Sequence, residues 1–400
     1  MQNENKLSNR SLSLLWFGAA ISIAEVMTGT LIAPLGFKDG IMAIIIGHLI
    51  GTLILFLVGV IGSQSQLASI ESSRISFGKY GSYFFSVMNI LQLIGWTAVM
   101  VITASKAIDG VTLKVFDYQN TILWCIIIGA VISAWVVAGF RNMEKLNFVA
   151  VGLLFAGSVI LSFQIFSGAA SSTVIEGTMT FGGAVELSAI MPISWLPLIA
   201  DYTRFSQKKK SGALVSSISY FAGSCWMYII GLGAALYVGV TDIFVLLATM
   251  GLGVVALMII VFSTATTAFL DVYSAGISFM NITTKVKEKT VVLATCVIGV
   301  ILAIITPVEQ YQGFLYLIGS VFVPLFAILL TDYFIFKQVR TDENKLIDIK
   351  NAVIWIAGVF IYRYLMGFDL TIGVTLPSMV LISILCISVE KVRVLCLKKS

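Results

Sequence analysis

The sequence has 400 residues, of which 58% are hydrophobic and 11% are charged, and its formal net charge is +5. Soluble domains carry about 25% charged residues, so this composition excludes a soluble protein and predicts a polytopic membrane protein. The single histidine and the five scattered cysteines show no metal-ligand spacing, so we expect neither an enzyme nor a resident cofactor.

Twelve apolar segments follow a polar N-terminal tail, residues 1–11. They lie at roughly 12–36, 40–62, 81–105, 120–139, 146–167, 181–200, 212–238, 243–281, 290–306, 312–336, 351–367 and 371–389. About 20 apolar residues in a helix cross a hydrocarbon core of roughly 30 Å. The pattern therefore predicts an all-α integral membrane protein with about twelve transmembrane helices.

In the first segment, Glu25 is the only charged residue among the 27 residues between Arg10 and Lys38. A carboxylate at mid-bilayer costs about 2.5–3.5 kcal/mol on insertion scales, so such a group usually faces a cavity, an ion or a partner. Gly18 and Gly29 disfavour a continuous helix, and irregular backbone is tolerated in a membrane only where it lines a cavity. We therefore predict a broken helix with Glu25 at a ligand site.

In the third segment, Gln92 and Trp96 are four residues apart and share one face of a helix. An amide can pair with the edge of a heterocycle, and an indole one turn away can stack on its face. The alternative is ordinary packing, with Trp96 in the core and Gln92 bonded to a neighbouring helix.

In the sixth segment, Pro192 and Pro197 remove two backbone donors and predict a helix break within residues 191–196. Ser194 and Trp195 lie in this interval, where freed carbonyl groups can bind a polar ligand. A simple proline kink is the alternative.

In the eighth segment, Ser263, Thr266 and Thr267 fall on one helical stripe. Hydroxyl oxygens combined with unwound backbone carbonyls suit a hard cation such as Na⁺. The alternative is hydrogen bonding of these hydroxyls to the preceding helical turn. Asp271, another carboxylate within this segment, is expected to gate, pair or bind a ligand.

Lysine and arginine are distributed unequally between the two sides of the predicted membrane. Alternating assignment of the loops puts 21 of them on the side of both termini and four on the other: Lys38, Lys106, Lys114 and Arg363. The positive-inside rule therefore predicts an even number of spans with both termini in the cytoplasm. The same asymmetry explains the net charge without a nucleic-acid partner. The run Lys208–Lys210 is a topology signal, with lipid binding as the alternative.

The first and sixth segments both combine Gly or Pro with an intramembrane carboxylate, Glu25 in one and Glu186 in the other. Interrupted segments at corresponding positions of two halves are typical of transporters with inverted repeats. We therefore predict a first repeat at 12–167, a second repeat at 181–336, two additional helices at 351–389, and a cytoplasmic tail at 390–400.

Several local strings, in order along residues 11–335, resemble those of the nucleobase–cation symporter family, which includes cytosine permease and the hydantoin transporter. They are Thr28–Gly29, Ile46–His48, Arg74–Gly78, Gln92 to Trp96, Ala200–Phe205, Thr266–Thr267, Tyr273–Gly276, Asn281–Thr283 and Thr331–Tyr333. The stretch from Ala24 to Gly36 resembles the branch called CytX, whose members are described as hydroxymethylpyrimidine transporters.

The resemblance implies a LeuT-like five-plus-five inverted-repeat fold, alternating access, and a heterocycle stacked on Trp96. It also implies a Na⁺ site built from the carbonyl groups of Gly18 and Ile21 and the hydroxyl groups of Ser263, Thr266 and Thr267. Ser22 then lies on the substrate face, with Glu25 one turn further on.

The sequence departs from the family at Ala268, where cytosine permease carries an asparagine. The aromatic residue that the family carries at the break of the sixth segment aligns near Pro192, three residues before Trp195. Gln92 lies four residues before Trp96, whereas the family spacing is three. These departures argue against cytosine as the substrate. We therefore predict a symporter of the cell membrane, with a monomeric transport unit, that imports hydroxymethylpyrimidine, a thiamine precursor. Cytosine, a purine or another thiamine-related compound is the alternative substrate, and H⁺ is the alternative coupling ion. The predicted substrate-binding residues are Ser22, Glu25, Gln92, Trp96, Ser194, Trp195 and Asp271.

Overall fold

The computed structural model describes residues 6–138, 143–167, 173–239, 253–306, 311–342 and 344–397. These residues are almost entirely helical, as predicted, with one isolated bridge between Leu7 and Ser206 as the extended pairing among them. Parts of three predictions lie outside the described residues: the beginning of the 243–281 segment, Arg141 in the charge count, and the outer ends of both tails.

The first half of the chain contains six helices. They are α1 (Asn9–Ala20), α2 (Ile23–Leu31), α3 (Gly36–Ser65), α4 (Arg74–Phe116), α5 (Thr121–Ala138) and α6 (Met143–Ser167). Two short 3₁₀ turns, Ala33–Leu35 and Glu71–Ser73, precede α3 and α4. Gly78 has φ 75°, which only glycine adopts readily, so α4 is kinked near its beginning.

In the second half, the described residues form eight helices. They are α7 (Phe181–Ser194), α8 (Leu196–Thr203), α9 (Lys209–Gly233), α10 (Gly253–Ile282), α11 (Glu288–Ile305), α12 (Tyr311–Leu330), α13 (Ile349–Leu365) and α14 (Thr375–Leu397). Short π-helical turns, Ala234–Val238 and Thr331–Ile335, extend α9 and α12.

By length and apolar composition, eight helices of the described residues can cross a membrane, and the bent pair α1 and α2 makes a ninth span. The eight are Ala33–Ser65, Glu71–Phe116, Phe148–Ser167, Phe181–Thr203, Lys209–Val238, Ile260–Ile282, Glu288–Ile305 and Gln312–Ile335. A multi-pass membrane protein is thus confirmed, whereas the count of twelve spans stays a prediction.

The first span is broken, as predicted, and α1 meets α2 at an angle of 51°. Ile21 ends α1 with ψ 82°, and Ser22 is extended, with φ −133° and ψ 157°. The Ser22 hydroxyl accepts a hydrogen bond from the Glu25 backbone N–H at 3.4 Å, so Ser22 is the N-cap of α2. The break therefore fixes Glu25 in the first turn of a new helix.

The predicted interruption of the sixth segment lies at Trp195, between α7 and α8, and the two helices still form one span, Phe181–Thr203. The carbonyl of Pro192 accepts from the Trp195 N–H at 3.2 Å, and the carbonyl of Met191 accepts from the Ser194 hydroxyl at 2.7 Å. Two carbonyl groups of the 191–196 interval are thus already bonded, and ligand binding by carbonyl groups at this break stays a prediction.

Helices α1 and α2 pack against α9, which in turn packs against α3, and α3 also packs against α7. Glycine allows the closest of these approaches. A Cβ atom at Gly29 of α2 would collide with the backbone of Tyr228, and one at Gly231 of α9 would collide with the backbone of Val26. Small residues let two membrane helices approach each other in this way. As a result, the side chains of α2 reach directly into the surface of α9.

Hydrogen bonds join several loops that the charge count assigns to one side. The pairs are Leu7 N–H to Phe205 O at 2.8 Å, Ser69 N–H to Asp201 Oδ1 at 2.9 Å, Arg74 to Asn281 O at 3.0 Å, and Lys79 N–H to Lys345 O at 3.0 Å. The N-terminal tail and these loops therefore lie at one end of the helical bundle.

Candidate substrate and cation site

The carboxylate of Glu25 is buried, with 2% of the residue exposed, and both of its oxygen atoms are bonded to α9. Oε1 accepts from the Tyr220 hydroxyl at 2.7 Å, and Oε2 lies 2.7 Å from the Ser224 hydroxyl. Each carboxylate oxygen has two lone pairs, so one further donor can still approach each of them. The isolated charge of the sequence thus belongs to a polar cluster between α2 and α9.

His48 of α3 extends this cluster. Its Nε2 atom lies 2.6 Å from Ser224 Oγ, and its Nδ1 atom lies 2.9 Å from the carbonyl oxygen of Ile44. The ring also packs edge-on against Tyr228, with the ring centroids 4.7 Å apart. A single serine hydroxyl therefore connects the only histidine of the chain to Glu25.

Trp195 contacts the same cluster from the α7–α8 break. Its indole Nε1 donates to the Tyr220 hydroxyl at 2.9 Å, and its ring packs edge-on against Trp16 with centroids 5.5 Å apart. Trp195 is 7% exposed. The structure thus places this predicted ligand residue in an aromatic cluster that supports Tyr220.

Gln92 and Trp96 lie together on α4, which packs against α2 and α10. The Gln92 amide nitrogen donates to Asn89 Oδ1 at 2.7 Å, whereas its buried oxygen Oε1 has no hydrogen-bond partner within the described part of the chain. The Trp96 ring meets Phe314 edge-on at 5.6 Å between centroids. Buried polar atoms are almost always paired, so Gln92 Oε1 marks a place for a hydrogen-bond donor.

The predicted sodium ligands come together in part. The Ser263 hydroxyl donates to the carbonyl of Ile21 at 2.8 Å, directly at the α1–α2 break. Thr267 Oγ1 is buried without a hydrogen-bond partner in the described ranges. Thr266 instead donates to its own helix, to Phe262 O at 2.9 Å and Ser263 O at 3.0 Å. These oxygen atoms are of the type that a hard cation takes at a broken helix.

Gly18 lies against α6, where a Cβ atom would come within 2.5 Å of Val151 Cγ2. Its carbonyl accepts from the Ile21 N–H at 3.3 Å. Of the five predicted cation ligands, Ser263 and Ile21 are thus in contact, and the role of all five in binding a cation stays a prediction.

Asp271 lies one turn after Thr267 on α10 and is buried. Its Oδ2 atom has no hydrogen-bond partner in the part of the chain that the structure describes. A buried carboxylate oxygen without a donor is expensive. Asp271 and Thr267 therefore present two unpaired oxygen atoms, one helical turn apart.

The hydroxyl groups of Ser22 and Ser194 are used locally, Ser22 as the cap of α2 and Ser194 on the carbonyl of Met191. Their assignment to the substrate stays a prediction. A cavity of about 210 Å³ lies elsewhere, at the end of the bundle where the loops meet, and is lined by charged residues that include Arg74, Asp201 and Glu288.

Sequence reasoning missed Tyr220, Ser224 and the contact of His48. A signal was available, because buried polar residues recur every four positions along α9, at Ser216, Tyr220, Ser224 and Tyr228. Such a stripe predicts a polar face on a membrane helix. It does not show which helix supplies the partner.

Glu186, the carboxylate that echoes Glu25 in the sequence, is an anchor for the C-terminal helices. Its Oε2 accepts from the backbone N–H groups of Val374 and Thr375, both at 2.7 Å, at the beginning of α14. Its Oε1 accepts from the hydroxyls of Tyr362 and Thr375, also at 2.7 Å. A carboxylate at a helix N-terminus is stabilised by the free N–H groups there. Glu186 therefore has a structural role.

Residues 1–385 match the family model described as permease for cytosine/purines, uracil, thiamine, allantoin. The cytosine permease of Escherichia coli K12 is 26% identical over 354 residues, which cover 87% of this chain and 82% of that protein. The hydantoin permease of Microbacterium maritypicum is 22% identical over 399 residues, covering 89% and 78%.

Two solved structures show the fold. Mhp1, a nucleobase-cation-symport-1 family transporter in a closed conformation with bromovinylhydantoin bound, superimposes with a TM-score of 0.76 at 19% identity, covering 97% of this chain and 93% of that chain. A Na⁺-coupled sialic acid symporter in an outward-open state superimposes with a TM-score of 0.68 at 14% identity, covering 96% and 90%. The predicted LeuT-like transporter fold is thus confirmed.

Proposed function

Because the chain belongs to the family of permeases for cytosine and purines, uracil, thiamine and allantoin, we propose that it imports a pyrimidine-type heterocycle by cation-coupled alternating access. The first candidate is hydroxymethylpyrimidine, the aminopyrimidine precursor of thiamine. The chain is a transporter and not an enzyme, as its relatives are permeases.

The observation behind this proposal is the buried Oε1 atom of Gln92, which has no hydrogen-bond partner among the described residues and lies one helical turn from the indole of Trp96. An amide oxygen accepts a hydrogen bond from an exocyclic amino group, and an indole stacks on an aromatic ring. One side of α4 thus supplies the edge contact and the face contact that an aminopyrimidine needs. Glu25 and Ser22 at the α1–α2 break, Ser194 and Trp195, and Asp271 of α10 complete the proposed substrate site.

For the coupling ion we propose Na⁺, held at the α1–α2 break by the Ile21 carbonyl, the Ser263 hydroxyl and the Thr267 hydroxyl. The 2.8 Å distance between Ser263 Oγ and Ile21 O supports this assignment, because the two oxygen atoms already converge. Gly18 and Thr266 are the further ligands that the family resemblance adds. An ion there bridges the broken span to α10.

We propose that the protein lies in the cell membrane as a monomeric transport unit with both termini in the cytoplasm. The contact of the N-terminal tail with the lysine-rich 201–211 loop supports the shared side. The two inverted repeats, 12–167 and 181–336, and the two additional helices belong to the same proposal.

The test is uptake of labelled hydroxymethylpyrimidine into vesicles that contain the purified protein, with an inward Na⁺ gradient, an inward H⁺ gradient or neither. We expect the Na⁺ gradient to accelerate uptake.

Gln92→Ala should weaken substrate affinity about tenfold, which corresponds to the loss of roughly one buried hydrogen bond. Gln312→Ala is the matched control, because the Gln312 amide only donates to Tyr316 at 3.4 Å on α12. The proposal would be contradicted if the vesicles take up no hydroxymethylpyrimidine, or if Gln92→Ala binds it with the same affinity as the wild type.

Cytosine is the second candidate substrate, since a cytosine permease is among the relatives. Purines and other thiamine-related compounds are further alternatives, as is H⁺ coupling. Competition by each unlabelled compound in the same assay separates them, because the true substrate inhibits uptake at the lowest concentration.

A further inference from the structure

A continuous chain of hydrogen bonds runs through the buried core from the α7–α8 break to α3. It begins at the Trp195 indole, passes through the Tyr220 hydroxyl to Glu25, and continues through Ser224 to His48. Between Trp195 Nε1 at one end and His48 Nε2 at the other, the four successive donor–acceptor distances are 2.9, 2.7, 2.7 and 2.6 Å. All five residues are at most 7% exposed.

The direction of the bonds is fixed at both ends of this chain. The Trp195 indole can only donate, so the Tyr220 oxygen accepts from it and the Tyr220 hydrogen goes to Glu25 Oε1. At the other end, the carbonyl of Ile44 can only accept, so His48 Nδ1 carries a hydrogen and donates to it at 2.9 Å.

If the imidazole is neutral and the carboxylate is ionised, there are fewer hydrogen atoms between these ends than there are hydrogen bonds. Two links remain, Glu25 Oε2 to Ser224 Oγ and Ser224 Oγ to His48 Nε2, and each needs one hydrogen. The Ser224 hydroxyl supplies only one. Without a second hydrogen, one of these short contacts would set two lone pairs against each other in a buried site.

We infer that Glu25, Ser224 and His48 form a binding site for one proton. The proton lies either on Glu25 Oε2, with Ser224 donating to a neutral His48, or on His48 Nε2, with Ser224 donating to the Glu25 carboxylate. The two arrangements interconvert when one hydrogen moves between Glu25 and Ser224 while another moves between Ser224 and His48. Both arrangements contain the same number of protons.

Glu186 shows that burial of a carboxylate does not by itself require such a proton. Four donor groups point at Glu186, and two of them are backbone N–H groups, which cannot accept. Every link to Glu186 therefore has its own hydrogen. A hydrogen bond without its own hydrogen atom therefore occurs at Glu25 and not at Glu186.

The other titratable groups facing this site are on α9. Tyr220 bonds Glu25 directly, Cys225 lies within electrostatic range of it, and Tyr228 packs against the His48 ring. From α10, the buried Asp271 makes no hydrogen bond to Glu25, Ser224 or His48 within the described part of the chain. On α4, Arg74 is bonded to Asn281 and Asp109 to Thr121. Of these titratable groups, Glu25 and His48 are therefore the two that hold the proton.

A bound proton is a ligand in addition to the heterocycle and the Na⁺ ion of the proposed function. The chain shares Glu25 and Trp195 with the proposed substrate site. The inference does not depend on the identity of the substrate or of the ion, because it follows from hydrogen bonds within the protein that involve neither Gln92 nor Ser263. Its test accordingly uses the purified protein without transport substrate.

His48 is the only histidine in the chain, so nitrogen-15 labelling of histidine in protein without a histidine tag gives the two ring-nitrogen signals of a single imidazole by NMR. Infrared spectroscopy reports whether Glu25 is a carboxylic acid, once the spectrum of Glu25→Gln is subtracted. Near pH 8, free groups with ordinary pKa values of about 4.3 and 6.5 would be carboxylate and neutral imidazole. We expect one proton in total, either a carboxylic acid with a neutral imidazole or a carboxylate with an imidazolium.

The inference would be overturned by a carboxylate with a neutral imidazole, or by a carboxylic acid with an imidazolium.

Ser224→Ala gives a second test, because it removes the bridging hydroxyl and leaves both titratable groups in place. We expect that variant to lose the proton near pH 8, and an unchanged proton count would also overturn the inference. Ser216→Ala is the matched control, since the Ser216 hydroxyl bonds only its own helix, at Gly212 O, 2.8 Å away. We expect it to keep the proton. If Glu25→Gln does not fold, Ser224→Ala replaces it in the infrared subtraction, and the lost proton is read there together with the histidine signals.

Discussion

The hydroxyl of Ser263 lies 2.8 Å from the carbonyl oxygen of Ile21, so α10 is bonded to the α1–α2 break. This relationship joins the irregular backbone of the first span to a hydroxyl-bearing helix more than 200 residues away in the sequence. It is the basis of the proposed Na⁺ site.

We expect Ser263→Ala to raise the Na⁺ concentration required for half-maximal stabilisation about tenfold, because the cation loses one oxygen ligand; a factor of ten corresponds to about 1.4 kcal/mol. The measurement is thermal unfolding of the purified protein over a Na⁺ series, with K⁺ to hold the ionic strength. Thr266→Ala tests the ligand that the structure shows bonded to its own helix, and a smaller effect is expected there. Equal Na⁺ responses of wild type and Ser263→Ala would exclude this site.

Trp96 should determine how tightly an aromatic substrate binds. Trp96→Phe keeps a ring for stacking and should weaken binding at most a few-fold, whereas Trp96→Ala should weaken it about tenfold, since aromatic pairing contributes about 0.5–1.5 kcal/mol beyond burial. Competition binding of the heterocycle checks this order. Trp226→Phe, a change on α9 at an indole bonded to Ser158, serves as control. Identical affinities of the Phe and Ala variants would show that the ring does not stack on the substrate.

Replacement by glutamine should affect the Tm differently at the two intramembrane glutamates. At Glu186, a glutamine NH₂ group would face N–H or hydroxyl donors, and each buried group left unsatisfied costs about 1–3 kcal/mol. At Glu25, a glutamine can donate to Ser224, which then donates to His48, so every link is filled. Thermal unfolding near pH 6 should therefore show a clearly lowered Tm for Glu186→Gln and a Tm near that of wild type for Glu25→Gln. A Tm lowered equally in both would contradict this account.

Asp348, at the loop end that begins α13, should make the fold sensitive to acid. Burial acts to raise the pKa of Asp348, but the bonds from Lys345 and the Asn351 backbone outweigh it and hold the pKa below its ordinary value. A lowered native pKa means that the stabilisation is present above the unfolded pKa, about 3.9, and is lost as the pH falls through the native pKa. Asp348→Asn should remove this part of the acid sensitivity while keeping the helix cap. Acid unfolding curves that coincide for both proteins would contradict it.

The break of the first span was predictable because its causes are local. The two glycines and the expensive charge of Glu25 all lie within one segment, and the structure ends α1 at Ala20 and begins α2 at Ile23. The break at Trp195 was predictable for the same reason, from two nearby prolines. The carbonyl groups of Met191 and Pro192 there are nevertheless bonded, because the interruption is only one residue long.

The partners of Glu25 and Glu186 were not predictable from the sequence. Tyr220 is 195 positions from Glu25, and Thr375 is 189 positions from Glu186. Periodicity shows which face of a helix is polar, but it does not show which helix packs there. The two carboxylates therefore looked alike as sequence features, whereas their surroundings give one a shared proton and the other a fixed set of donors.

The contact at Gly29 and Gly231 leaves no space for even one methyl group between α2 and α9. Helices in such contact cannot slide past each other without a collision of backbone atoms, so a tilt of α2 must take α9 with it. The moving unit of a transport cycle would then be this helix pair and not a single half-helix. The Glu25 carboxylate and its α9 partners would travel as one body, and His48, on α3, would be the member left behind.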